Sequence, residues 1–378
     1  MKEKFSLKDA LFNATKIAMI AREIKEVYPS FEQEKFQDEV LLAFPNLELK
    51  ARISHIALMF KKYLPSDFQE ATNILLQALP PELDPNKTDD DFGDFIYAPH
   101  SDFVVLNGCT QEHLAFSLGA LREMTKRFSV EYAIRDFINH FPLETFEMLE
   151  ACTVSENYHE RRLASEGSRL KLPWAKKLTI AYDEPIKLLD KLYFDPTRYV
   201  TRSVANHLND IAKLDAPLVL KTLKAWKNSK KQNEKEMEFL ISHALRTLVK
   251  EGNVEALELL GYASNPKIEV SNFRLESKEV SVGEALNFSL NIEAKEPSRL
   301  MVDYVIFFQT KSGSLTAKVH KLKKLELKKG EAITLNKKHL FKVNMSTRKL
   351  YEGQHKVALQ INGKMFFEDE FMLWSKQP

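Results

Sequence analysis

Two cysteines in 378 residues, Cys109 and Cys152, are too few for a disulfide framework, and no Cys/His cluster has zinc-ligand spacing. That poverty fits a reducing compartment. No run of about 18 apolar residues occurs, so no membrane span is expected. The opening stretch, MKEKFSLKDALFNATKIAMIAREIKEVYP, does not read as a signal peptide. Lys8, Asp9 and Lys16 interrupt it, and no small-residue cleavage site follows an apolar core. The expected location is the cytoplasm. The chain also lacks GxxxxGK[ST], GxGxxG, HExxH and GxSxG, which leaves nucleotide hydrolysis, hydride transfer and zinc proteolysis unsupported.

What is present is a soluble composition, 44% hydrophobic and 29% charged. The length exceeds one ordinary core, so two domains are expected. The net charge of +2 conceals an asymmetry. From Lys267 onward there are 20 Lys and Arg against 13 Asp and Glu, and before it 35 against 40. A basic C-terminal region suits a polyanion partner, or it is a lysine-rich solvated sheet face.

Residues 1–265 read as helix after helix. Leu7, Leu11, Ala14, Ile17, Ala18 and Ala21 make the first apolar stripe, and apolar positions recur at threes and fours down to about residue 262. Pro29, Pro45, Pro65, Pro80 and Pro142 are expected to close helices. Short links between successive helices predict a mainly α, HEAT-like solenoid with a concave surface. Residues 80–100, proline-rich and acidic, read as an ordered loop anchored by Phe92, Phe95 and Tyr97, or as a solubilising spacer.

After Asn265-Pro266 the period changes from 3.6 to 2. Residues 267–378 are expected to hold about seven strands, with turns at Val282-Gly283-Glu284, Lys329-Gly330-Glu331 and Asn362-Gly363. That spacing predicts an Ig-like β-sandwich in architecture, without a Cys…Trp…Cys signature.

Four stretches hold candidate chemistry. HERRLASEGSRLKLPW, residues 159–174, sets Glu166 in what reads as a small-residue turn among Arg161, Arg162, Arg169 and Lys171, with Trp174 beyond. In residues 200–217, Val200, Val204, Leu208 and Ile211 form a buried stripe, flanked by Ser203, Asn206, His207 and Asp210. Asn206 and Asp210, four apart, are placed to touch. That polar row points into a groove or links helices. Glu131 and Arg135, also four apart, read by default as a helical ion pair. The last set is basic: Arg161, Arg162, Arg169, Lys171, Lys176, Lys177 and Arg202. Forked guanidiniums suit phosphate oxygens, though a solvated surface explains them equally well.

Together HERRLASEGSRLKLPW, DFGDFIYAPH and VANHLNDIAK, followed by a terminal β domain, resemble the AlkC branch of the AlkC/AlkD DNA alkylation-repair glycosylases. The resemblance spans nearly the whole chain. It implies a HEAT-like solenoid that cups duplex DNA, with an added Ig-like domain. It implies hydrolysis of the N-glycosidic bond of cationic alkylated bases, 3-methyladenine and 3-methylcytosine, without full base flipping. No metal or organic cofactor is implied, and the expected partner is alkylated duplex DNA met by a monomer.

The same resemblance assigns residues. Glu166 in LASEG matches the motif carboxylate, Trp174 in LPW the motif aromatic, and Asp210 in NHLND the carboxylate of the later helix. Glu131 takes a fourth, weaker position. Asp210 and Glu166 are expected to stabilise the sugar cation or position water, and Trp174 to pack on the lesion nucleotide. Arg161, Arg162, Arg169, Lys171, Arg202 and Asn206 are expected at the DNA, with the arginines on phosphates and Glu166 thereby left to face a cation. Lys321, Lys323 and Lys324 offer a second phosphate contact from the β domain. The alternative is a non-catalytic scaffold that binds DNA or protein through its concave face.

Overall fold

A computed structural model describes residues 6–89, 91–343 and 348–375. It divides into two compact units, Met1–Leu214 with Trp226–Ala244, and Asp215–Ala225 with Leu245–Pro378.

The first unit is helical. The first apolar stripe breaks into α1 (Leu7–Leu11) and α2 (Ala14–Val27), because the Asn13 side chain caps the Lys16 N–H and holds its own backbone extended. Next come α3 (Gln33–Ala43), α4 (Leu49–Tyr63) and α5 (Phe68–Gln77), the last capped by Asp67. Phe36 and Phe60 stack at 5.7 Å in their core. α6 (Ala98–Gly108), preceded by a 3-10 turn over Phe95–Tyr97, is a helix that the proline-rich reading stopped short of. α7 (Leu114–Met124) and α8 (Ile134–His140) lead to α9 (Pro142–Cys152). Here Pro142 opens a helix instead of closing one, since the first helical position needs no N–H partner.

The region that carries the candidate chemistry follows: α10 (Tyr158–Glu166), α11 (Ile186–Leu192) and α12 (Arg198–Ile211). The expected stripe Val200, Val204, Leu208 and Ile211 is fully buried. α12 packs against α10 and α11. α13 (Ala216–Ser229) contributes to both units, and α14 (Glu234–Ala244) returns to pack on α12.

The second unit joins α15 (Arg246–Lys250) and α16 (Val254–Leu259) to eight strands. β1 (Ile268–Leu275), β2 (Glu279–Ser281), β3 (Ala285–Ala294), β4 (Ser298–Gln309), β5 (Leu315–Leu327), β6 (Ala332–Leu340), β7 (Gly353–Ile361) and β8 (Lys364–Trp374) form two sheets. One has the order β1-β3-β6 and the other β2-β8-β7-β4-β5, so β5 with its lysines is an edge. Alternate residues of β3, Leu286, Phe288, Leu290 and Ile292, fill the core between them.

Helices give way to strands near Asn265-Pro266 as expected, but the compact units divide earlier. Leu257 and Tyr262 pack on Met301 of β4, and Asn362 Nδ2 donates to the Ala263 carbonyl (2.9 Å). Gly252 and Gly363, both at positive φ, meet so closely that a Cβ on Gly363 would lie 2.5 Å from the Gly252 oxygen. These contacts fasten residues 245–265 to the strands. Among the described residues no helix is long and apolar enough to cross a membrane. None of their His, Cys, Asp and Glu side chains gather in a group of three or more able to hold a metal.

Candidate functional site

The stretch expected as a turn is helix up to Glu166. Asn157 caps α10 through the His159 N–H (2.9 Å), and Ala164 and Ser165 are not turn formers here. Their small side chains let α12 approach. Ser203 Oγ lies 2.9 Å from Ser165 Oγ, and His207 Nδ1 donates to the Ser165 carbonyl (3.1 Å). Gly167 is required just after the helix, since a Cβ there would sit 2.6 Å from Ile134 Cγ2.

This packing brings the three candidate carboxylates into one buried chain, each bridged to the next by a guanidinium. Glu131 Oε2 accepts from Arg162 Nη1 (2.8 Å), and Arg162 Nη2 lies 3.8 Å from Glu166 Oε2. Glu166 Oε1 accepts from Arg169 Nη1 (2.5 Å). Arg169 then holds Asp210 Oδ2 from Nη2 (2.9 Å) and Nε (3.1 Å). Hydroxyls complete the set: Ser203 donates to Glu166 Oε2 (2.5 Å), and Ser129 donates to Glu131 Oε2 (2.7 Å) while accepting from Arg162. All three carboxylates are at least nine-tenths buried. The exposed end of the chain is Lys213, whose ammonium lies 3.5 Å from Asp210 Oδ1.

The electrostatics follow from the geometry. Burial opposes a charge on Glu166, but Arg162, Arg169 and the Ser203 hydroxyl outweigh it and hold the carboxyl below its ordinary range. Burial likewise opposes the charge on Arg169, and Glu166 and Asp210 overcome it. Glu166 is therefore ionised at neutral pH. Buried His207 goes the other way: desolvation, helped by Arg169, lowers it to about 3 and keeps the ring neutral.

The other expected residues fall into different places. Arg162 and Arg169 are buried and Arg161 is half-buried, each on carboxylate partners, so the expected split, arginines on phosphates and Glu166 unpaired, does not describe the geometry. Arg161 is forked onto the buried Asp195 (2.6 and 3.1 Å) and also donates to the Ser155 and Glu156 carbonyls. Lys171 and Lys177 are exposed, and Lys176 pairs with Asp136 (2.6 Å). Asn206 does not reach for Asp210; its Oδ1 accepts from His243 Nε2 on α14 (2.9 Å). Lys321, Lys323 and Lys324 are exposed on β5, in the other unit.

Glu131 and Arg135 are not an ion pair. Arg135 is fully buried and donates to backbone carbonyls of Lys176 (2.6 Å), Arg169 (2.6 Å) and Gly167 (3.2 Å). Tyr132 Oη adds a bond to the Pro173 carbonyl (3.3 Å), and Lys50 donates to that of Trp174. This clamp holds the loop between Glu166 and Lys177 open as a fixed turn. Trp174 lies on it, 66% exposed and at φ 64°, a left-handed conformation that bulky residues rarely adopt. Sequence spacing gave no sign of Arg135's role, because its partners are carbonyls 32 to 41 residues away.

Beside Glu166 a recess of about 140 Å³ opens between α10, α12 and the loop before α6. Phe92, Tyr199, Arg162, Arg202, Ser203 and Asn206 line it with Glu166. Arg162 packs over the Tyr199 ring at 4.4 Å and Arg202 at 5.7 Å.

Residues 269–375 match the family described as the C-terminal Ig-like domain of uncharacterised protein YhaZ. The chain is 31% identical over 359 residues to uncharacterized protein YhaZ of Bacillus subtilis (strain 168), covering 94% of this chain and 96% of that protein. The structure resembles that of Pseudomonas fluorescens alkylpurine DNA glycosylase AlkC, bound to DNA containing an abasic site analog. The TM-score is 0.86 at 30% identity, over 98% of this chain and 99% of that one.

Proposed function

The chain belongs to the AlkC branch of the AlkC/AlkD DNA alkylation-repair glycosylase family, and from that we propose that it releases cationic alkylated bases from duplex DNA. The observation that carries the reading is the chain of Glu131, Arg162, Glu166, Arg169 and Asp210. N3-methylation makes a base cationic and a good leaving group, so little acid catalysis is needed. What the reaction needs is fixed negative charge near a sugar with oxocarbenium character, and a placed water. Glu166 and Asp210 supply that charge. Trp174, projecting from its clamped turn, packs against the lesion nucleotide.

The substrates proposed are 3-methyladenine and 3-methylcytosine, engaged by a monomer without full flipping of the base, in the cytoplasm. The helices of the first unit are read as a HEAT-like solenoid around the duplex. The DNA-bound state of the Pseudomonas relative supports DNA as the partner. Purified protein is expected to release N3-methylated bases from methylated duplex, with Glu166→Gln or Asp210→Asn losing most of the rate. No release across a broad set of N3-alkylated substrates rejects the reading.

One observation favours a second reading. Every carboxylate of the chain has a guanidinium partner, as in a purely structural ion-pair cluster. A non-catalytic DNA-binding protein would bind duplex without base release, and the same two substitutions would leave binding unchanged.

A further inference from the structure

The recess beside Glu166 has polar capacity that the reaction above does not use. Its one carboxylate is committed, to Ser203, Arg169 and Arg162. The remaining polar lining groups are donors. Arg162 and Arg202 bring guanidiniums, and Asn206, its oxygen taken by His243, brings an amino group. Tyr199 brings a buried hydroxyl that has no hydrogen-bond partner among the described residues. Desolvation pushes that phenol up to about 12, so it keeps its proton. Two guanidiniums and two neutral donors suit an acceptor-only anion, and a water takes about 30 Å³ of liquid, so a recess of about 140 Å³ has room for a phosphodiester group.

On Arg202 an oxyanion is already in place. Asp89, on the loop before α6, is forked onto Arg202 with Oδ1 2.6 Å from Nη2 and Oδ2 3.2 Å from Nη1. Planar two-point pairing of this kind is the way a guanidinium also takes a phosphate. The same loop is tied to α12 through the Tyr199 N–H and the Thr88 carbonyl (2.9 Å). Both ends of the Asp89–Arg202 pair are about a third exposed, so it can exchange partners without unfolding its surroundings.

We propose that this recess binds one backbone phosphate of DNA, and that Asp89 stands in for that phosphate on Arg202 until DNA displaces it. The inference rests on DNA as the partner but not on base release. If no base is released and the couplings below appear, only the glycosylase reading fails.

The test uses the full chain and a fluorescent duplex carrying an abasic-site analogue, titrated at several salt concentrations. Asp89→Asn is expected to bind about two- to fivefold tighter, the worth of one exposed ion pair. Arg202→Gln binds more weakly, with a log–log salt slope flatter by about one. In the Arg202→Gln background Asp89→Asn changes nothing. Tyr199→Phe deletes an unpartnered hydroxyl, so it leaves the melting temperature unchanged or higher and weakens binding about tenfold. Single methylphosphonate linkages, walked along the backbone, identify one position that costs the wild type affinity and the Arg202→Gln protein none.

Equal tightening by Asp89→Asn in both backgrounds overturns the stand-in, since it reports only long-range charge. Competition by inorganic phosphate at Arg202, with no sensitive methylphosphonate position, overturns DNA as the source of the phosphate. Wild-type binding by Tyr199→Phe removes the hydroxyl from the site.

Discussion

Arg135→Met tests whether the Trp174 turn is held from below. The substitution keeps an unbranched apolar stem of similar reach and removes only the donors. Four buried or half-buried carbonyls lose contacts of 2.6, 2.6, 3.2 and 3.5 Å. Bonds from a charged donor are worth about 1.5–3 kcal/mol each, and they are not additive. One gain offsets part of the loss. Burial and the neighbouring Arg169 already lower Arg135 to about 10, so removing its charge relieves that strain. The net cost is about 3–5 kcal/mol, that of breaking a buried polar anchor. Native stabilities of about 5–15 kcal/mol leave the variant folded at room temperature. In a domain of this size the melting temperature falls by roughly 6–20 °C. Urea titration should show a lower midpoint with unchanged slope, and hydrogen exchange should speed up over residues 168–177 while α12 stays protected. A loss below about 1 kcal/mol, or unchanged exchange in that turn, refutes the clamp.

Other outcomes follow from single features. Trp174→Ala should cut base release at least tenfold and change stability little, because the side chain is 66% exposed; equal rates would remove Trp174 from the site. Trp174→Gly should be as inactive and slightly more stable, since glycine relieves the φ of 64°. Stability should also fall in mild acid. His100 and His207 are lowered to about 3 and His159 to about 4, in each case first by burial. The unfolded chain therefore takes up protons below about pH 6.5 and the folded one does not, so stability complete above pH 6.5 is lost as pH falls toward 4. A flat urea midpoint across that window contradicts neutral buried histidines. Replacing Lys321, Lys323 and Lys324 together with alanine should weaken duplex binding and flatten the salt slope by up to about three. Unchanged slope makes β5 a solvated edge.

The division into a helical and a β half was readable because each half keeps one hydrophobic period. Val200, Val204, Leu208 and Ile211 at fours, and the alternation of β3, are signals that packing reinforces. α10 was not readable as helix, because its last turn is Leu-Ala-Ser-Glu before a glycine, and small residues there serve close packing on α12. The candidate carboxylates were singled out from local patterns and given roles by resemblance, and the fold does bring Glu131, Glu166 and Asp210 together. Their partners were misassigned for a physical reason. Spacing of four suggests contacts within a helix, such as Glu131 with Arg135, whereas a guanidinium reaches as easily across helices. Burial decides between them, and burial depends on the tertiary fold. The compact division before residue 245 was hidden likewise, since α15 and α16 keep a helical period while packing on β4 and the β7–β8 turn.

The pairing of every carboxylate with an arginine looks adverse to catalysis, yet it solves a problem that three clustered acids create. Carboxylates this close and this buried repel one another, and without compensation at least one takes a proton and loses its charge. The guanidiniums keep Glu166 ionised and fixed in place, so the field at the site needs no reorganisation when a cation develops there. If that is their role, Arg169→Met should not merely weaken the site. It removes the cation shared by Glu166 and Asp210, and the Glu166 pKa should rise from its lowered position. With the ionised form as the proposed working one, the acid limb of the pH–rate profile should move to higher pH, with the plateau partly recovered in alkaline buffer. A rate lost equally at every pH would instead mean that Arg169 touches the substrate itself.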